Sequence, residues 1–225
     1  CLVGSEMCIR DSTISFHVDA VQAIGKIPVS SYLTDRVDFA TFSGHKFHAV
    51  RGVGFVYKKA GKKITPLLTG GGQEKDFRST TENVAGIASM AKALRLVTDK
   101  EEFSLPKIAK MKKIIFDELA KYEDITIFSG EGEDFAPNIL TFGIKGVRGE
   151  VIVHAFEEHQ IYISTTSACS SKAGKPAGTL ISMGVPTKLA QTAVRISLDD
   201  DNDMGQVEQF LTIFKQVYAK TQKVR

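Results

Sequence analysis

The chain has 225 residues, 24% charged and 43% hydrophobic, with a formal net charge of +3 at neutral pH. This is the composition of a soluble globular protein with one large or two small cores, and the even spread of charge gives no case for nucleic acid. No apolar run approaches the roughly 20 residues a helix needs to span a bilayer, so no membrane role is expected. Three cysteines exclude a disulfide scaffold and favour a reducing compartment, the cytoplasm.

Residues 1–12 have neither periodicity nor a signal-peptide pattern. They read as a foreign leader resembling translated adapter sequence. Cys1 and Cys8 fall in it and match no zinc spacing. The chain then opens abruptly in a strand, Ile14–Val18, ending at Asp19, as a truncated fragment does. Ala20–Gly25 predicts a short helix broken by Pro28. Val37–Phe42 and Gly52–Tyr57 predict two further strands. Gly70-Gly71-Gly72-Gln73-Glu74 is a permissive loop. A long amphipathic helix is predicted over Val84–Glu102, with Ile87, Met90, Ala91, Leu94 and Val97 on one face.

A second region begins near Ser104. Ser104-Leu105-Pro106 predicts a new helix start by cap and early-proline logic, running to Tyr122. The Lys residues between 107 and 113 read as its solvated face. Strands are predicted at Ile125–Phe128, Ile139–Phe142, Ile161–Ile163 and Val194–Leu198. Helices are predicted at Glu150–Glu158 and Met204–Tyr218. The layout is α/β in residues 13–103, with a bridging helix, and a smaller α+β domain in residues 104–225.

Several clusters carry chemistry. His17-Val18-Asp19-Ala20-Val21-Gln22 places a carboxylate at the carboxyl end of a strand, where open α/β sheets bind ligands. It serves there as a helix cap or as the partner of a cationic ring nitrogen, with Gln22 in reach of a neighbouring oxygen. Ser43-Gly44-His45-Lys46 follows the next strand. Lysine suits imine formation and proton shuttling, whereas an exposed loop lysine is its commonest fate. Ser43 and His45 offer donors to a phosphate. His45 and His48 lack a third ligand, so no metal is expected. Arg78-Ser79-Thr80-Thr81-Glu82-Asn83 is either a capping stretch or an anion site at a helix start. Arg195, inside a β-run, must snorkel or pair with a carboxylate. Cys169, in the polar loop Thr165-Thr166-Ser167-Ala168-Cys169-Ser170-Ser171-Lys172, reads as an accessible, reactive thiol.

In this order, the motifs around Asp19, Lys46, Gly70–Glu74, Thr81 and Cys169 resemble the pyridoxal-phosphate-dependent cysteine desulfurases of the NifS/IscS type, in the class V aminotransferase superfamily. The resemblance implies part of a fold-type I transferase with pyridoxal 5'-phosphate as cofactor. It implies that Lys46 carries the cofactor covalently and removes the substrate Cα proton. Asp19 would hold the pyridinium nitrogen, Gln22 the phenolic oxygen, and Ser43 and His45 the phosphate. Thr81 would reach the phosphate in the partner subunit of a homodimer. Arg195, assisted by Asn138, would hold the carboxylate of L-cysteine. Cys169 would accept the sulfur as a persulfide, leaving L-alanine, and pass it to an acceptor in iron–sulfur assembly, tRNA thiolation or thiamine synthesis. A selenocysteine lyase and an inactive, fold-retaining binding module are the alternatives. Thr80 stands where many relatives have glycine, and Asp199-Asp200-Asp201 replaces a more basic stretch. The family's N-terminal portion, with a further phosphate loop and a ring-stacking histidine, is expected to be missing, and the 225-residue chain alone is expected to be inactive.

Overall fold

The computed structural model describes residues 14–132, 134–165 and 178–223. Residues 1–12, expected to be a leader, and Cys169 lie outside them. The chain divides into two compact units, Cys1–Phe103 and Ser104–Arg225. No helix among the described residues is long and apolar enough to cross a membrane.

The first unit is built on a three-stranded sheet of β1 (His17–Asp19), β2 (Phe39–Ser43) and β3 (Gly54–Lys58), in the order β1-β2-β3. β1 and β2 run parallel, with Asp19 opposite Thr41, and β3 returns antiparallel to β2. Alternation along β2 buries Ala40 and Phe42 on one face, the period-two signature of a strand packed on one side. Phe16, Val18, Tyr32, Val37 and Phe47 complete that core, with Met90 and Ala93 from the long helix α1 (Val84–Leu119). Its buried face in this unit is Met90 and Ala93, flanked by Leu94 and Val97. Ile87 and Ala91, expected on that face, are exposed.

Two further expectations need correction. No helix forms over Ala20–Gly25, where residues 21–26 make successive turns instead, with Ala23 N donating to Ala20 O at 3.0 Å and Lys26 N to Ala23 O at 3.0 Å. Six residues are too few to overcome helix nucleation, and Gly25 stops the turn at φ +69°. Nor does a new helix start at Ser104. α1 runs through Pro106. Proline there costs about 3 kcal/mol. The helix continues because apolar positions on both sides are buried: Met90 and Ala93 before it, Ile108, Met111, Ile115 and Leu119 after it.

Asp38 ties together the amino ends of β1 and β2. Its side chain is only 2% exposed, and Oδ2 accepts from Phe16 N (2.9 Å) and from Arg36 Nη1 (3.3 Å), while Lys62 Nζ lies 3.0 Å from Oδ1. The Phe16 amide, with Lys62 and Arg36, holds this carboxyl below its usual value of 3.8 despite burial. A group depressed on folding stabilises the fold fully above its unfolded value, and that contribution is lost as pH falls through the lower folded value. Asp38→Ala is therefore expected to destabilise the protein by roughly 3 kcal/mol at pH 7. The difference from wild type should shrink below pH 3.8, as measured by denaturant melts across pH. An equal effect at pH 7 and pH 3 would contradict this.

The second unit is a four-stranded antiparallel sheet of β4 (Ile125–Ile127), β5 (Ile139–Ile144), β6 (Ser164–Thr165) and β7 (Ala193–Ser197), ordered β4-β5-β7-β6. It is covered by the second half of α1, α2 (Gly149–Glu157) and α5 (Met204–Lys223). Two short helices not foreseen from sequence, α3 (Gly178–Ser182) and α4 (Thr187–Ala190), precede β7. Phe156 of α2 stacks on Phe210 of α5 at 5.1 Å, and Phe142, Phe214 and Ile152 lie fully buried beside them. The strand expected at Ile161–Ile163 falls instead at Ser164–Thr165. Residues 160–161 are still leaving α2, with Gln160 left-handed at φ 58° and Ile161 N donating to Phe156 O at 3.1 Å. α5 extends one turn past the expected Tyr218. Lys112 departs from the expected solvated face: it is 6% exposed, donates to Ala136 O at 3.0 Å, and burial pulls its pKa down.

Candidate functional site

The parallel pairing of β1 and β2 sets the first unit's candidate site. Asp19 is the last residue of β1 and Ser43 the last of β2, so both stand at the same, carboxyl edge of the sheet. Ala20 N donates to Thr41 O at 3.1 Å and fixes the exit of β1 beside β2. Asp19 is exposed, and its Oδ1 accepts from Val21 N at 3.1 Å. The carboxylate thus closes a local turn, and no helix follows for it to cap. Gln22 is exposed in the next turn.

After β2 the chain turns at once into a short 3-10 helix, Gly44–Phe47. Gly44 N donates to Val53 O at 2.8 Å, and a Cβ on Gly44 would lie 3.0 Å from that oxygen and 3.1 Å from Ala49 Cβ. A side chain has no room there, so glycine lets the turn sit tight against β3's approach. Phe47 anchors the turn in the core, 1% exposed, and His48 ends it in the left-handed region at φ 71°. Lys46 is half-buried and His45 exposed on this turn. A hydrogen bond joins Ser43 Oγ and His45 Nδ1 at 2.9 Å. With the hydroxyl donating, the imidazole keeps its proton on Nε2, free for an anion.

One residue near this turn was not singled out in the sequence. Lys26 Nζ donates to Lys46 O at 2.7 Å, across 20 positions of chain. Only the return of β2 alongside β1 brings the two together, so no local pattern could have announced it.

Thr81 is exposed in the segment before α1. The capping alternative for this stretch is realised by Asn83, whose Oδ1 accepts from Gly86 N at 3.0 Å. That leaves Thr81 outside the cap.

In the second unit Asn138 comes just before β5, and Arg195 lies in the adjoining strand β7. Asn138, 4% exposed, precedes β5 and accepts at its carbonyl from Leu198 N at 2.8 Å. Arg195 lies in β7 opposite Thr141 of β5 and Ser164 of β6. Its Nε is buried without a hydrogen-bond partner among the described residues, and no ion pair to it occurs among them. Among the described residues the arginine meets no carboxylate, though an unmade bond to a buried charged donor is costly. Cys169 is not among the described residues.

The residues of the first unit suit a phosphorylated, cationic ring aldehyde. A carboxylate, an amine, a hydroxyl and an imidazole share one open sheet edge, and the amine stands on a turn held at both ends.

The chain is similar to known proteins over most of its length. The model of the family "Aminotransferase class-V" matches residues 5–210, a span that begins inside residues 1–12, the stretch expected to be foreign. A "NifS/IcsS protein homolog" of Lactobacillus delbrueckii subsp. bulgaricus is 46% identical over 98% of this chain and 57% of its own length. A "Cysteine desulfurase" of Trichormus azollae is 34% identical over 94% of this chain and 53% of its own. Among solved structures, a NifS-like protein from Rickettsia africae is 31% identical with a TM-score of 0.82, covering 97% of this chain and 57% of that one. The chain spans a little over half the length of the relatives it matches.

Proposed function

The chain belongs to the class-V aminotransferase family, and from that membership we propose that it supplies the lysine and cysteine chemistry of a cysteine desulfurase. The observation that supports this most is the placement of Asp19, Ser43, His45 and Lys46 at the carboxyl edge of one parallel strand pair. Pyridoxal 5'-phosphate, when bound, withdraws electrons from an attached amino acid and acidifies its Cα–H. Lys46 anchors the cofactor and moves the Cα proton at Nζ. Asp19 holds the ring nitrogen protonated, and Gln22 donates to the ring oxygen. Ser43 and His45 bind the phosphate, and Thr81 binds that of the partner subunit in a homodimer. Arg195 and Asn138 hold the substrate carboxylate. Cys169 takes the sulfur. In sum, L-cysteine and the Cys169 thiol become L-alanine and a Cys169 persulfide, which is handed to an acceptor protein in iron–sulfur assembly or tRNA thiolation in the cytoplasm.

The direct test is incubation of the full-length gene product with L-cysteine and a reductant. Alanine and sulfide are expected in equal amounts. Absence of both, with cofactor bound, would refute the reading. Turnover of selenocysteine alone would instead favour a selenocysteine lyase. Arg195→Ala is expected to raise KM for L-cysteine by about tenfold to a hundredfold, the worth of a charge-assisted hydrogen bond. Cofactor content by absorbance should stay unchanged. An unaltered KM would remove Arg195 from the substrate site.

A further inference from the structure

We propose that Lys26 is a positioning residue for Lys46, an inference that rests on the cysteine desulfurase reading. The short 3-10 helix Gly44–Phe47 has room to satisfy few of its own carbonyls. The amides that follow it turn back to Gly44 O: His48 N caps there and Ala49 N donates to it at 3.0 Å. Carbonyls at the end of a helix need outside donors, and basic side chains commonly serve. Lys26 Nζ fills that role at the carbonyl of Lys46 itself, at 2.7 Å.

Lys26 is itself held in place. The preceding Gly25 is left-handed, and a Cβ on it would lie 2.3 Å from Val97 Cγ1 of α1. Only glycine lets the segment press against that helix. Ile24 is buried before it, and Ile27 N donates to Ala23 O at 3.1 Å after it. Lys26 N is bonded to Ala23 O. The backbone fixes where this lysine starts, and the bond to Lys46 O holds its ammonium at the end of a flexible stem. Its bond sets the peptide plane from which the Lys46 side chain departs, and hence where Nζ sits when it takes a proton. A misplacement of about 1 Å at such a group can cost a hundredfold in rate.

The test compares Lys26→Met, Lys26→Gln and Lys26→Arg with wild type in the full-length gene product. Lys26→Met is expected to lower kcat about tenfold to a hundredfold while KM for L-cysteine changes less than twofold. The isotope effect with Cα-deuterated cysteine should rise, because proton removal becomes slower relative to the other steps. Amide exchange at residues 44–49, read by mass spectrometry without cofactor, should rise about tenfold. Lys26→Arg, which keeps a cationic donor, should restore most of kcat, and Lys26→Gln should fall between. Unchanged kcat and isotope effect in Lys26→Met would overturn the proposal, whether or not the turn opens. So would a loss of kcat that Lys26→Arg does not recover while its melting temperature matches wild type. If Lys26→Met does not fold, Lys26→Gln and Lys26→Arg decide by the same readings. Wild-type protein that binds cofactor yet forms neither alanine nor sulfide from L-cysteine would instead sink the desulfurase reading beneath it. The two failures are thereby distinguishable.

Discussion

Lys46→Ala in the full-length gene product is expected to lower alanine formation from L-cysteine by at least about 10⁴-fold. The variant loses two contributions at one atom. Nζ is the covalent anchor of the cofactor and the group that moves the Cα proton, and positioned proton transfer alone is worth about 10²–10⁴-fold. Borohydride reduction should leave the cofactor's mass attached to wild-type protein and none on the variant. The fold should survive, because the turn is anchored by buried Phe47 and by Gly44 N on Val53 O, not by the Lys46 side chain. Cofactor mass retained on the reduced Lys46→Ala protein would refute the assignment.

Cys169→Ser is expected to lower sulfide and alanine production roughly a thousandfold. A hydroxyl is a poor nucleophile towards sulfur, whereas the thiolate is the reactive form of cysteine. Cofactor binding and the spectral change on adding cysteine should remain, since they belong to Lys46, Asp19 and the residues of the other unit. Mass spectrometry after incubation with L-cysteine should find an added sulfur on wild-type Cys169 and none on the serine protein. Normal turnover by the variant would show that the sulfur travels by another route, and selenocysteine turnover retained in it would favour the lyase. With both variants in hand, failure of the lysine chemistry and failure of the sulfur relay are separate results.

What could be read from the sequence follows a physical divide. Strand alternation is local: Ala40 and Phe42 inward, Thr41 outward, is legible in the residues themselves. So is a motif that ends a strand, and Asp19 and Ser43-Gly44-His45-Lys46 were visible for that reason. Helix stops were less legible. Pro106 announces a break, yet α1 passes through it, because burial of Ile108, Met111, Ile115 and Leu119 outweighs one lost backbone bond. Lys112 looks like its solvated neighbours, but the packing beneath α1 buries it against Ala136 O.

By itself, then, the sequence determined the family and the order of the chemical groups, since both are written in residues close together along the chain. Tertiary structure alone decided which groups share an edge and which are held. Parallel pairing of β1 with β2, across more than 20 residues, put Asp19 beside the lysine turn. The same return of the chain set Lys26 under the Lys46 carbonyl. β7, placed between β5 and β6, left Arg195 Nε without a partner among the described residues. Those contacts depend on chain closure over long separations. A linear pattern carries no record of them, because the free energy that selects them comes from the buried core beneath the site and not from the site's own residues.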